Sequence, residues 1–163
     1  DDIYITLNVS PNNVMNGATT RLLEQQPLNR LILEITEHVA VDNYLYFLEA
    51  LAPLRAQGLR LAIDDVGAGY SSFKHILRLT PDIIKFDMEL TRDIDKDPAR
   101  RALATALVAF AGETCCEIVA EGVENNNELN TLRELDIKNV QGYHIGQPMD
   151  LTEACDYLPH KIT

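Results

Sequence analysis

Short apolar segments that end on a polar or charged side chain recur along this sequence, and they limit its possible folds more than any other feature. Five of them span residues 3–8, 31–34, 59–65, 83–87 and 118–121. A carboxylate at the end of an apolar strand is costly unless it is paired or binds a metal. Repetition of such endings on successive strands predicts one shared site at one end of a parallel sheet.

Longer amphipathic segments alternate with the apolar ones, as they do in βα proteins. Strands are predicted at 3–9, 30–35, 60–65, 83–87, 117–120 and 139–143, and helices at 18–26, 43–57, 72–79, 99–113, 127–135 and from 152 onward. Strands that are apolar throughout are typical of a sheet that is covered on both faces. Both a doubly wound α/β sheet and a barrel have this property.

Polar residues at the ends of nearly every strand favour a TIM-like (β/α)₈ barrel, because a doubly wound sheet concentrates its site at one switch point. Such a barrel needs eight strands and typically about 250 residues. The 163 residues of this chain offer six βα units. We therefore expect a single domain over residues 1–163 that forms an incomplete barrel, with the two remaining units before Asp1.

The acidic composition argues against one class of partner. A net charge of −11 and a pI near 4.7 disfavour binding of a nucleic-acid polymer, which depends on clustered Lys and Arg. No segment is apolar over the length that a membrane helix needs. The three cysteines, of which Cys115 and Cys116 are adjacent, are interpreted as reduced thiols. These features predict a cytoplasmic domain, whose parent could be membrane-anchored through other domains.

The side chains at the strand ends are oxygen donors with one cation among them. The donors are Asn8, Glu34, Asp64, Asp65 and Glu121, and the cation is Lys85. Because no His or Cys pair stands at a zinc-like spacing, Mg²⁺ or Mn²⁺ is the expected guest. Adjacent Asp64 and Asp65 can point to different sides and contact two ions, which would clamp a phosphoryl displacement. Lys85 could orient the attacking water or neutralise charge on the phosphorus.

Each strand end also has an interpretation without a site. Asp64 and Asp65 could cap the turn before the glycine-rich segment 67–72. The other interpretations are a solvated strand edge at Glu34 and Glu37, a surface pair of Lys85 with Asp87, and a turn at Glu121 and Glu124. The occurrence of all these groups at one end of a barrel favours the shared site.

Six motifs resemble those of a known family. The runs LNVSP, LEITE, AIDDVGAGYSS, IIKFD, VAEGVE and VQGYHIGQP have the order and about the spacing of the EAL family of cyclic di-GMP phosphodiesterases, and the resemblance covers residues 7–149. It implies a (β/α)₈ barrel that hydrolyses cyclic di-GMP to linear pGpG with two Mg²⁺ or Mn²⁺ ions and so controls the level of a second messenger. It also implies a homodimer, and sensory or GGDEF domains fused to this one in the parent protein.

The resemblance implies a role for individual residues. The residues that match metal ligands are Asn8, Glu34, Asp64, Asp65 and Glu121. Lys85 matches the Lys that orients the nucleophilic water, and Glu37 matches a Glu that steadies the loop after the aspartates; with Glu121 they form the implied catalytic group. The matches on the substrate side are Glu124, Gln141 and Asp87. The mobile loop that couples dimerisation to metal binding is matched by Gly67, Ala68, Gly69, Tyr70, Ser71 and Ser72.

Three features depart from the family pattern. The Glu-Ala/Val-Leu motif that names the family is absent with its metal-ligating Glu, and so is the substrate-binding Arg after it; both are expected upstream of Asp1. In the loop, Val66 stands where Phe is usual and Ala68 where Thr is usual. We therefore expect very low activity from these 163 residues alone, and association through unpaired sheet edges.

Two other functions stay open. One is a catalytically inactive EAL-like module that binds cyclic di-GMP or a protein partner as a regulator. The other is a structural remnant without a ligand. The enzyme is favoured because every family position inside the chain keeps a suitable residue.

Overall fold

The computed structural model describes residues 3–36, 41, 43–67 and 72–157, which contain one sheet of six parallel strands. The strands are β1 (Ile5–Asn8), β2 (Leu31–Thr36), β3 (Arg60–Val66), β4 (Ile83–Phe86), β5 (Glu117–Ala120) and β6 (Asn139–Val140). Each strand is hydrogen-bonded to the next one in the sequence. A doubly wound sheet would reverse its strand order at a switch point. The uninterrupted order therefore confirms the prediction of an incomplete barrel of the (β/α)₈ type.

Helices follow the strands and cover the sheet on one side. They are α1 (Pro11–Met15), α2 (Ala18–Leu23), α3 (Tyr44–Arg55), α4 (Ser72–Leu79), α5 (Met88–Thr91), α6 (Pro98–Thr114), α7 (Asn126–Glu134) and α8 (Leu151–Tyr157), with a 3₁₀ turn at Leu28–Arg30. Asn43, Asp97 and Asn125 accept backbone N–H bonds at the starts of α3, α6 and α7. Within the described ranges, no helix has both the length and the apolar character that would let it cross a bilayer.

Two short helices were not predicted, and both begin within three residues of a strand end. The Ser10 side chain accepts from the Asn13 N–H at the start of α1, where Pro11 occupies the first turn. The Asp87 carboxylate accepts from the Glu89 N–H at 2.6 Å at the start of α5. A helix of one turn is too short to show an amphipathic period, so its cap is the only sequence signal.

Strand β6 is shorter than the predicted strand at 139–143. The Gln141 N–H still donates to the Ala120 carbonyl at 2.8 Å, but the chain then turns, and the N–H groups of Ile145 and Gly146 donate to the Gly142 carbonyl. The turn places Gly142 directly against the backbone of Val123, where an added Cβ would lie 2.3 Å from the Val123 N and O atoms. The apolar residues after Val140 therefore belong to a turn.

Gly142→Ala is expected to lower the free energy of unfolding by about 1–3 kcal/mol, because the new methyl group overlaps backbone atoms that cannot move without disturbing the sheet. Urea denaturation measures the change. Gly112→Ala in α6 is the matched control: no atom lies within 4 Å of its added Cβ, so it should gain about 0.5–1 kcal/mol from helix propensity. Equal stability of the two variants would contradict the close approach.

The two faces of the sheet bury different sets of side chains. The larger cluster joins alternate strand residues to the helices; Leu33, Ile63 and Phe86 pack there with Phe47 and Leu51 of α3. The smaller cluster contains no helical residue and consists of Ile32, Ala62 and Ile83, with Val119 packed against them. It therefore marks the inner face of the curled sheet. Full burial of each large apolar side chain contributes about 1.5–3 kcal/mol, so the inner and outer positions of β2 to β5 are strongly specified.

Candidate active site

The inner apolar cluster fixes which residues face the mouth of the barrel. Side chains alternate between the two faces of a strand, so a residue two positions further along points to the same side. Two positions after Ile32, Ala62, Ile83 and Val119 stand Glu34, Asp64, Lys85 and Glu121. The parallel register brings the carboxyl ends of these strands to one edge of the sheet. One polar layer thus lies directly above one apolar layer.

Lys85 lies at the centre of this polar layer and contacts three carboxylates. Its Nζ atom is 2.8 Å from Glu121 Oε1, 3.0 Å from Asp64 Oδ1 and 3.1 Å from Glu34 Oε1. Glu34 and Lys85 are only 5% and 8% exposed. A surface pair of Lys85 with Asp87 is therefore ruled out as the explanation of this position.

The charges of the cluster shift the pKa of both Lys85 and Glu121. Burial lowers the pKa of Lys85, but the hydrogen bond and charge of Glu121, followed by Glu34 and Asp64, outweigh it and raise this pKa above its ordinary value. Burial raises the pKa of Glu121, the Lys85 ammonium opposes that rise, and the neighbouring Asp64 and Glu34 carboxylates add to it. The three carboxylates thus favour the ammonium form of Lys85.

An extra residue in β3 brings Asp65 into the same region. The pairing of β3 with β4 runs from Ile63 opposite Ile84 to Val66 opposite Phe86, so three steps on β3 match two on β4. Asp65 occupies this bulge with a φ of 59°, in the left-handed region. Without the bulge, alternation would send Asp64 and Asp65 to opposite faces.

From the sequence, Asp64 and Asp65 can point to different sides, and the bulge bears on that possibility. Asp64, Asp65 and Glu121 each offer a carboxylate oxygen, and these oxygens lie within 4.8 Å of one another. Three carboxylates at this spacing fit a hard divalent cation, which prefers oxygen ligands. Asn8 lies opposite Glu34 in the register of β1 and β2, where its amide oxygen adds a neutral donor at the same edge of the sheet.

A cavity of about 590 Å³ opens beside the carboxylates. Asp65 and Glu121 line it on the side of the cluster, and the three residues predicted on the substrate side, Asp87, Glu124 and Gln141, line it elsewhere. Sequence reasoning missed Met88, Tyr143 and Gln147 as lining residues. Tyr143 and Gln147 belong to the VQGYHIGQP motif, so the motif itself was a signal for them.

The structure leaves part of the predicted site undescribed. Glu37, Ala68, Gly69, Tyr70 and Ser71 lie outside the described residues. The ends of the predicted loop are described: Gly67 has a φ of 119° just after β3, and Ser72 begins α4. The roles of all these residues stay predictions.

The sequence interpretation overlooked one occurrence of the tripeptide EAL. Glu49, Ala50 and Leu51 spell it within α3, where Glu49 is exposed and Leu51 is buried in the outer core. A helix on the outer side of the sheet cannot present Glu49 at the strand ends. The tripeptide is therefore not the metal-ligating motif. The letters EAL occur in the sequence, but the motif that would supply a metal ligand does not.

A parallel barrel that gathers carboxylates and a lysine at the carboxyl ends of its strands has the architecture of a barrel enzyme. The chain belongs to the EAL domain family, whose model matches residues 1–148. The probable cyclic di-GMP phosphodiesterase PdeD of Escherichia coli strain K12 is 34% identical to it over 160 residues, which are 95% of this chain and 30% of PdeD. This chain thus spans less than a third of that relative.

Solved structures agree with this assignment. The EAL domain of Mycobacterium smegmatis DcpA superimposes with a TM-score of 0.88 at 29% identity, over 96% of this chain and 73% of that one. The complex of Klebsiella pneumoniae BlrP1 with manganese and cyclic di-GMP at pH 9.0 gives a TM-score of 0.78 at 31% identity, over 86% of this chain and 38% of that one.

Proposed function

We propose that the protein that carries this chain hydrolyses cyclic di-GMP to linear pGpG with two divalent cations, Mg²⁺ or Mn²⁺, and thereby lowers the level of this second messenger. One observation carries the proposal: three carboxylates converge on Lys85 at the edge of a cavity lined by further polar groups. PdeD is named a probable cyclic di-GMP phosphodiesterase, and BlrP1 was solved with manganese and cyclic di-GMP, which supports the same chemistry here.

The side chains whose oxygens could bind a cation form two groups, one on β3 and after β5 and the other on β1 and β2. Asp64, Asp65 and Glu121 would hold a cation together, because their oxygens already lie within 4.8 Å of one another. Asn8 and Glu34, neighbours on β1 and β2, would supply further ligands. When bound, such cations supply positive charge to a phosphate and lower the pKa of water.

Lys85 would place a water molecule and stabilise negative charge on the reacting phosphate. Three carboxylates hold its ammonium group at one point, so it needs little reorganisation during the reaction. The ammonium has three N–H donors, and three carboxylates lie around it, so a water molecule would take the place of one carboxylate, as it would if that carboxylate bound a cation instead. Proton removal from that water belongs to another group, because a charged Lys cannot accept a proton.

The cavity would bind the rest of the nucleotide. Asp87, Glu124 and Gln141 offer both acceptors and donors to base edges and ribose hydroxyls, while Met88 and Tyr143 offer apolar surface to a base. This mixture of a few polar groups with apolar walls is typical of a small-molecule site.

The deciding experiment incubates the full-length protein with cyclic di-GMP and either Mn²⁺ or Mg²⁺ and identifies the product by chromatography. Formation of pGpG that stops when a chelator removes the cation is the expected result. Binding of intact cyclic di-GMP without cleavage would instead support the regulatory module. Absence of both binding and cleavage would refute the proposal.

We further propose that the parent protein is a homodimer in which segment 67–72 couples dimerisation to cation binding, and that sensory or GGDEF domains accompany this domain. Sedimentation of the full-length protein with and without Mn²⁺ tests the coupling. A sedimentation coefficient of a monomer under both conditions would refute it.

A further inference from the structure

We propose that Glu128 is a positioning residue, whose buried carboxylate holds the Arg92–Glu124 ion pair at the rim of the cavity. Glu128 lies in the first turn of α7 and is only 2% exposed. A buried carboxylate needs partners for its charge. The proposal rests on the function proposed above, because it assigns Glu124 to the binding of cyclic di-GMP.

The two oxygens of Glu128 bind two different loops. Oε1 accepts from the Asp93 N–H at 3.0 Å, and Oε2 accepts from the Glu124 N–H at 2.9 Å. Asp93 lies in the segment between α5 and α6, whereas Glu124 follows β5. One carboxylate therefore joins two segments that are 31 residues apart in the sequence.

These two N–H groups frame an ion pair on the rim. The Arg92 guanidinium donates to Glu124 Oε1 at 3.0 Å, and both side chains are half-exposed. Arg92 directly precedes Asp93, so Glu128 fixes the backbone on both sides of this pair. An exposed ion pair holds itself weakly, because it must order two long side chains in water. The buried Glu128 carboxylate acts as a clamp that fixes the backbone next to both members of the ion pair. Glu124 is thereby held where it lines the cavity.

The cation ligands are anchored independently of this clamp. The Glu121 N–H donates to the Phe86 carbonyl, and the Val123 N–H donates to the Gln141 carbonyl, both at 3.1 Å within the sheet edge. Loss of the clamp should therefore displace Glu124 while Glu121 keeps its place. This loss should therefore change the KM for the substrate and leave kcat unchanged.

Glu128→Gln tests the clamp with the smallest change of shape. The amide of Gln has one acceptor oxygen, so one of the two N–H groups must face an NH₂ group instead. We expect the KM for cyclic di-GMP to rise about tenfold, the usual weight of one hydrogen bond to a charged group. Both kcat and the affinity for Mn²⁺, measured by calorimetry, should stay within about twofold, since the cation ligands are anchored elsewhere.

Two further variants of the full-length protein complete the test. Glu134→Gln makes the same change on α7, where Glu134 is exposed and pairs with Arg101 at 2.9 Å, and it should leave the KM unchanged. In the background of Glu124→Ala, the substitution Glu128→Gln should add no further rise, because the clamp acts through Glu124. A KM unchanged by Glu128→Gln, or an additive effect in the double variant, would overturn the proposal.

Hydrogen exchange separates failure of the clamp from failure of the proposed function. In the Glu128→Gln protein, peptides that cover Asp93 and Glu124 should exchange faster, whereas the peptide that covers Glu121 should not. Unchanged exchange at both positions would refute the clamp even in an active phosphodiesterase. Faster exchange in a protein that neither binds nor cleaves cyclic di-GMP would refute only the proposed function and its assignment of Glu124.

Discussion

Lys85→Ala in the full-length protein should lower the turnover of cyclic di-GMP by roughly 10²–10⁴-fold, the usual range for a group that places a reacting water or proton. Lys85 is the shared partner of Glu34, Asp64 and Glu121, so its loss removes the only ammonium within the cluster as described. The affinity for Mn²⁺ should not fall, because no carboxylate is removed and a competing positive charge is gone. Product formation and calorimetric titration measure the two quantities.

Lys138→Ala is the matched control for this experiment. Lys138 has a highly exposed side chain and stands just before β6, at the opposite end of the sheet from the carboxylates. Its removal should change neither turnover nor Mn²⁺ affinity. Circular dichroism in the assay buffer checks that the Lys85 variant is folded, since its three carboxylates repel each other without the ammonium. A folded Lys85→Ala protein with normal turnover would refute the role of Lys85.

Asp64→Asn should sharply weaken the binding of Mn²⁺. Asp64 offers an oxygen within 4.8 Å of the oxygens of Asp65 and Glu121, so an amide in its place removes one of three converging charges. Substitution of a residue that hydrogen-bonds to a metal ligand typically lowers metal affinity about 10–100-fold. Loss of the charge of a ligand itself should lower it at least about 100-fold. Turnover should fall at least as far. Calorimetry with Mn²⁺ and product chromatography give both values.

Asp136→Asn controls for the loss of one negative charge. Asp136 is exposed and lies before β6, away from the carboxyl ends of the strands, and its φ of 62° is one that Asn also adopts readily. It should bind Mn²⁺ as the unchanged protein does. If Asp64→Asn bound the ion equally well, the cation would have to be held by other residues.

The sequence was sufficient for the features that depend on period and polarity. Six apolar segments, five of them with polar ends, predicted six parallel strands, and Glu34, Asp64, Lys85 and Glu121 meet as expected because they share one inner face. This part was predictable since a buried carboxylate must find a cation, and Lys85 was the one cation among the strand ends.

Other features depend on backbone details that a residue pattern does not encode. The extra residue at Asp65 leaves no mark in the apolar period, so the sequence alone allowed the two aspartates to point to different sides. The turn at Gly142 resembles a strand because apolar residues follow it, and only its contact with Val123 explains why β6 ends early. The EAL tripeptide in α3 illustrates the same limit in another way. The letters match the motif that names the family, but their position in an outer helix excludes its role.

The position of Glu128 lay between these extremes. Asn125 and Glu128 have the spacing of a capping box, in which a side chain at the third helical position reaches back to the backbone before the helix. That pattern was readable. Its second partner, the Asp93 N–H on another loop, was not, because a contact over 35 residues depends on the tertiary fold.

The extra residue in β3 makes the chemistry of this barrel dependent on a single codon. Deletion of that codon would restore an ordinary pairing between β3 and β4, and the loss would be invisible to a search that recognises only strand order or overall shape. A gene with this deletion would still encode the same order of strands, yet Asp65, the third carboxylate, would be missing. Surveys of genomes for active members of this family should therefore count residues between the paired positions Ile63 and Val66.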